Sequence, residues 1–180
     1  MKPGDLEEKF VSGEEVFRGD FISLRRDVVR LPDGAQAVRE YIRHPGAVLI
    51  LPLLADGRVL LERQFRYPHG RDFIELPAGK KEAGELPLET AKRELLEETG
   101  YIAAEWRRLG IIHNAIAYSD EGIEMFLARG LEKREAKLDA GEFLEVFDLK
   151  METAIEMIRD GRITDAKTVA ALLWIKAFAG

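Results

Sequence analysis

Hydrophobic and polar positions along the chain change period as it runs. In the first stretch, short apolar–polar alternations are broken by turns. KFVSGEEVFRGD, FISLRRDVVRLPDG and AQAVREYIRH predict three strands, with Asp33-Gly34 as a hairpin turn. Residues 47–54, AVLILPLL, form an unbroken apolar run, which suits a strand buried on both faces. Asp56-Gly57 turns the chain into RVLLERQFRY, a second such strand, and FIELP at 73–77 predicts another. A helical period then takes over from Pro87 to Thr99, where Leu88, Ala91 and Leu95 make one stripe. Proline suits the first position of that helix and Gly100 the position past its end. Strands are expected near WRRLGIIHN, GIEMFLARGL and FLEVFDL, and two closing helices at about 151–160 and 165–178 around Gly161. Mixed strands with helices packed on them predict an α+β or α/β sandwich rather than a regular βαβ repeat.

Composition narrows the class of protein. A chain of 180 residues is long enough for one sizeable core and short for two. With 46% hydrophobic and 33% charged residues it reads as globular rather than disordered. A net charge of -6 argues against a general nucleic-acid binder, which needs a basic stripe. There is no cysteine, which excludes disulfides and thiolate zinc sites. The opening MKPGDLEEKF has no apolar stretch and no run approaches bilayer length, so a cytoplasmic protein without membrane association is expected. His44, His69 and His113 are scattered without ligand spacing.

One stretch carries more chemistry than its surroundings. Arg93 to Gly100 reads RELLEETG. A solvated helix face is the simpler reading of such a charge run. The spacing weakens that reading, because Glu94, Glu97 and Glu98 stand at i, i+3 and i+4 and project from one side of a helix. Their repulsion costs stability unless a cation sits among them, and hard divalent ions such as Mg2+ take oxygen ligands.

Read backwards, the context is specific. Gly79 is followed by five residues and Glu85, then by seven residues and Arg93-Glu94-Leu95-Leu96-Glu97-Glu98-Thr99-Gly100. This resembles the Nudix box, with Tyr101 where the pattern prefers an aliphatic residue. QFRYPHGRDFIELPAGK, REYIRHPGAVLILPLL and ITDAKTVAALLWI are similar to the ADP-ribose pyrophosphatase branch of Nudix hydrolases. The resemblance implies an α+β fold, an α/β/α Nudix sandwich, with an added N-terminal antiparallel β-sheet region. Residues 1–44 would serve dimerisation and substrate contact, and 45–180 would form the catalytic domain. The stretch HNAIAYSDE, residues 113–121, lacks the proline-containing loop common in that branch, which bears on substrate identity.

The resemblance also assigns roles. Glu94, Glu97 and Glu98 are the implied metal ligands, joined by the main-chain carbonyl of Ala78. Arg93 is expected to orient carboxylates, Glu85 among them. Arg66, whose fork matches phosphate oxygens, is the main candidate for substrate binding. Glu75 is expected to point at the site, towards metal-bound water or an arginine, and Arg43 is a further substrate candidate. The general base is expected in GEFLEVFDL, with Glu142 preferred to Glu145, and Glu97 and Glu121 next in line. The expected reaction is Mg2+-dependent hydrolysis of a nucleoside diphosphate sugar, ADP-ribose first, with Mn2+ as a substitute. GDP-mannose is the alternative substrate, and a non-catalytic Nudix ligand sensor the alternative class. A homodimer is expected.

Overall fold

The computed structural model describes residues 6–136, 138, 141 and 143–178. The chain divides into two compact units. One comprises residues up to Gly46 together with Ala115–Glu121, and the other Ala47–Asn114 with Gly122 onwards.

The first unit is an antiparallel meander of β1 (Lys9–Arg18), β2 (Ser23–Arg30) and β3 (Gln36–Arg43). The β2–β3 turn falls at Asp33-Gly34 as expected. Gly34 takes φ 91°, and the Asp33 carboxylate accepts from Ala35 N at 2.9 Å. Asp27 is buried in this small sheet and held by Tyr41 Oη at 2.9 Å and Arg25 Nη2 at 3.0 Å. Strand β1 is exposed at every position. Residues 115–121 join this unit through Ile42, whose N–H donates to Tyr118 O at 2.8 Å and whose carbonyl accepts from Asp120 N at 3.1 Å.

In the second unit, β4 (Ala47–Pro52) is buried along its whole length. It pairs in parallel with β9 (Ile123–Lys133) and antiparallel with β7 (Ala78–Lys80), and β8 (Tyr101–Ile112) completes the order β7-β4-β9-β8. Both faces of this sheet are covered, which is why the sequence of β4 shows no alternation. Val48 and Ile50 pack with Ala91 and Leu95 of helix α1 (Pro87–Thr99). Leu49 and Leu51 face a larger core shared with β5 (Arg58–Arg66), α2 (Met151–Arg159) and α3 (Ala166–Phe178). A second sheet, β10-β5-β6, adds β6 (Arg71–Glu75) and β10 (Leu144–Lys150). This is the expected Nudix architecture, α+β with mixed strands and three helices.

Helix α1 begins and ends where its signals place it. Pro87 is the first residue, and Gly100 closes the helix at φ 68° with its N–H on Leu96 O at 2.9 Å. Its stripe of Ala91 and Leu95 is fully buried, so the orientation of the glutamates beside it is set by the core. Truncating Leu95 to Ala is expected to cost about 2–5 kcal/mol.

Candidate active site

The carboxylates of α1 face the short strand β7 across a very close contact. A Cβ on Gly79 would overlap the Glu94 carboxyl group, so only glycine lets that main chain pass. One residue earlier, Ala78 N donates to Glu98 Oε2 at 3.1 Å, and Glu98 is 5% exposed. Helix and strand are therefore joined at two successive residues, and both joints use a glutamate of RELLEETG.

Arg93 lies at the centre of the acidic array. Its Nε and Nη2 donate to the two oxygens of Glu85 at 3.1 and 3.0 Å. Its Nη1 donates to Glu94 Oε1 at 2.8 Å and Glu97 Oε2 at 3.0 Å, and Nη2 also reaches Lys80 O at 3.2 Å. One guanidinium thus bonds three carboxylates, Glu85, Glu94 and Glu97. Glu85 also accepts from Thr90 Oγ1 at 2.9 Å and Glu82 N at 3.3 Å. The hydrogen bond from Arg93 is the main cause holding its pKa down at about 2.

These groups suit a hard divalent cation, as Nudix hydrolases generally use. Three carboxylates and a main-chain carbonyl form an all-oxygen donor set. The absence of a side chain at Gly79 lets the Glu94 carboxyl lie against the β7 main chain, and one guanidinium nitrogen already bridges Glu94 and Glu97, so those two converge on positive charge. Among the described residues, no three acidic or histidine side chains are already gathered in metal-holding geometry.

Arg66 and Glu75 form a bidentate pair. Arg66 Nε and Nη2 donate to Glu75 Oε1 and Oε2 at 2.6 and 2.8 Å. Of the two expectations for Glu75, the arginine partner is the one observed. Burial pushes its pKa up, but the hydrogen bonds from Arg66 and the charge of Lys167 outweigh burial and leave it below the usual carboxylate range. Lys167, at the start of α3, also binds Glu75 Oε2. The charges of Glu62 and Glu98 also act on Arg66, so its surroundings extend to the metal-ligand candidates. Glu62 stands directly across the β5–β6 ladder from Glu75 and is fully buried.

Sequence reasoning overlooked Lys167, Asp165, Thr168 and Glu62. A lysine two residues into an apolar helix, and a carboxylate inside the run VLLE, were the available signals. Of the remaining candidates, Arg43 lies in the first unit, where its Nε pairs with Asp120 at 2.7 Å. Glu142 lies outside the described residues. Glu145 is exposed on β10 and paired with Arg63 of β5.

The fold and this helix–strand arrangement define a Nudix hydrolase. The NUDIX domain model matches residues 43–172, the chain belongs to that family, and it is a hydrolase of pyrophosphate bonds. The nucleoside diphosphate sugar hydrolase N-terminal domain matches residues 8–42. Among its relatives is the ADP-ribose pyrophosphatase of Bacillus subtilis strain 168, 40% identical over 175 residues that cover 95% of this chain and 94% of that one. The methanol dehydrogenase activator of Bacillus methanolicus is 38% identical over 173 residues, again covering 95% and 94%. A crystal structure of an ADP compounds hydrolase superposes with a TM-score of 0.84 at 21% identity, over 96% of this chain and 94% of that one, a likeness of fold.

Proposed function

We propose that the protein is a Mg2+-dependent pyrophosphohydrolase of nucleoside diphosphate sugars that cleaves ADP-ribose to AMP and ribose 5-phosphate, with Mn2+ as a working substitute. The observation that carries this reading is the gathering of box carboxylates at one helix–strand contact: Glu94 and Glu97 share Arg93, Glu94 lies against Gly79, and Glu98 accepts from Ala78 N. A purely structural helix face does not need three carboxylates gathered on one side and held by an arginine and a main-chain N–H. A ligand sensor without turnover needs no complete carboxylate set.

In the proposed mechanism Glu94, Glu97, Glu98 and the Ala78 carbonyl hold the metal, which when bound neutralises diphosphate charge and acidifies water. Arg93 keeps Glu94 and Glu97 from splaying. Arg66 grips a phosphate oxygen of the substrate through its planar fork. Glu142 takes the proton from the attacking water. Glu145 serves this role less well, because the β10 ladder and Arg63 hold it. Water adds across the P–O–P linkage. One phosphorus takes the hydroxyl, and the other leaves with the bridging oxygen and a proton.

The N-terminal unit is assigned to an isologous homodimer and to contact with the nucleoside, with Arg43 as its substrate-facing candidate. Phe17 and Val38 are exposed on one face of its sheet, apolar surface that a two-fold partner would cover. The proposed compartment is the cytoplasm. Among the described residues, no helix is long and apolar enough to cross a membrane.

The test is a hydrolysis screen of ADP-ribose, GDP-mannose and other nucleotide sugars with Mg2+, products identified by mass. AMP and ribose 5-phosphate from ADP-ribose at the highest kcat/KM support the assignment. A higher value on GDP-mannose replaces the substrate, and no turnover of any member replaces the reaction.

A further inference from the structure

The start of α3 is bonded to the end of β6 in a way that packing alone does not require. Asp165 Oδ2 accepts from Thr168 N at 3.0 Å and from Lys167 Nζ at 3.0 Å, so one carboxylate both caps the helix and fixes the lysine. Lys167 Nζ continues to Glu75 Oε2. Thr168 Oγ1 accepts from Leu76 N at 2.9 Å, at a site where Thr168 and Leu76 are fully buried. The first turn of α3 therefore holds residues 75 and 76, immediately ahead of Pro77 and Ala78.

Glu75 thus carries two cations, although one would neutralise it. It is 2% exposed, and a carboxylate so buried is strongly destabilising when left without countercharge. If Arg66 were its only partner, Arg66 could not leave it for a substrate phosphate without that penalty. Both N–H groups that Arg66 presents along one edge of its fork are committed to Glu75. Lys167 removes the conflict. Its side chain is buried, which alone would favour the neutral amine, yet the charges of Asp165 and Glu75 hold its pKa above that of an ordinary lysine. Its charge is therefore permanent at neutral pH.

We propose that Lys167 is a positioning residue for the reaction: by keeping Glu75 compensated, it lets Arg66 turn its guanidinium fork from Glu75 to the substrate diphosphate. This rests on the proposed role of Arg66 in gripping phosphate. Lys167 acts through the Glu75–Arg66 pair.

A double-mutant cycle tests the idea. KM and kcat for ADP-ribose are measured with saturating Mg2+ for wild type, Lys167→Met, Lys167→Arg, Arg66→Ala and Arg66→Ala/Lys167→Met, with melting temperatures alongside. Arg66→Ala is expected to raise KM about 10-fold or more, and Lys167→Met about 5-fold with kcat changed about 2-fold at most. Lys167→Arg should restore KM to within about 2-fold of wild type, and Lys167→Met should add nothing to Arg66→Ala. Should Lys167→Met, or the double variant that leaves Glu75 without either cation, fail to fold, Asp165→Asn takes the place of Lys167→Met in both. It keeps an oxygen for the helix cap, weakens the hold on Lys167, and should raise KM about 2–3-fold only when Arg66 is present.

The inference is overturned if Lys167→Met or its replacement leaves KM unchanged, or multiplies KM equally with and without Arg66, as a general loss of stability would. Failure of the proposed function is read separately. In that case wild type does not turn over ADP-ribose, or Arg66→Ala leaves KM at the wild-type value. Either result withdraws the role of Arg66, and the inference about Lys167 falls with it.

Discussion

Gly79 and Glu94 stand so close that a single methyl group on Gly79 would overlap the Glu94 carboxyl. The contact ties the one β7 position that has no side chain to the first glutamate of RELLEETG. Gly79→Ala must displace either the strand or the carboxylate. Because β7 is short and pairs with only three residues of β4, we expect the protein to fold. The variant should lose about 100-fold or more in kcat/KM, since small misplacements of catalytic groups are costly. Steady-state kinetics with circular dichroism checks this, and wild-type kinetics in a folded variant would show that Glu94 need not sit there.

Arg93 is the countercharge of the site when no metal is bound. Arg93→Met keeps an unbranched apolar stem and removes the charge shared by Glu85, Glu94 and Glu97. In excess chelator its melting temperature should fall by several degrees, corresponding to about 1–3 kcal/mol for a lost charged hydrogen-bond network. Saturating Mg2+ should narrow the gap to wild type, because a cation among the same carboxylates replaces part of what was lost. Calorimetry with and without Mg2+ measures both numbers. A gap independent of metal would mean that Arg93 and the metal act on different carboxylates.

Glu85 predicts how stability responds to acid. Its folded pKa is held down at about 2, against about 4.3 in an unfolded chain. A depressed carboxylate stabilises the fold above its unfolded pKa. That stabilisation declines as pH falls below about 4.3 and is gone near its folded value, because the unfolded chain binds the proton first. Urea unfolding at several pH values below neutral should show this loss. Glu85→Gln, already without the charge, should show a shallower decline over the same window. Equal slopes in the two proteins would assign the acid sensitivity elsewhere.

The response to Mg2+ distinguishes the proposed general base from the proposed metal ligands. Glu142→Gln should lower kcat by about 10²–10⁴-fold, the usual contribution of such a group, with the Mg2+ midpoint unchanged. Glu98→Gln should shift the midpoint and recover partly with added metal. Glu145→Gln should do little, since its partner Arg63 lies on the exposed ladder between β10 and β5. A silent Glu142→Gln beside a crippled Glu145→Gln would move the assignment into the strand.

Much of the fold was legible because its signals are local. The proline and glycine bounding α1, the unbroken apolar run of β4 and the turn at Asp33-Gly34 each act within a few residues, and each element lies where those signals place it. Strand β7 was not legible. Its three residues, AGK, carry no alternation, and it exists because β4 offers an open edge to pair with. The start of β8 was read too late for a related reason, since Tyr101–Ala103 pair with Leu131–Lys133 about thirty residues away.

The candidate site divides along the same line. By itself the sequence determined the carboxylate array, because Glu94, Glu97 and Glu98 share a helix face by spacing alone and Arg93 lies within reach on the same helix. It also marked Gly79 as a fixed position of the motif, although the close approach of Gly79 to Glu94 is visible only in the fold. Only the tertiary structure decided that Glu75 would be shared between Arg66 and Lys167, with Asp165 and Thr168 fastening the start of α3 to the end of β6. The physical reason is range. A helical repeat fixes neighbours three and four residues apart, whereas Glu75 and Lys167 are separated by 92 residues and meet only once the core has folded.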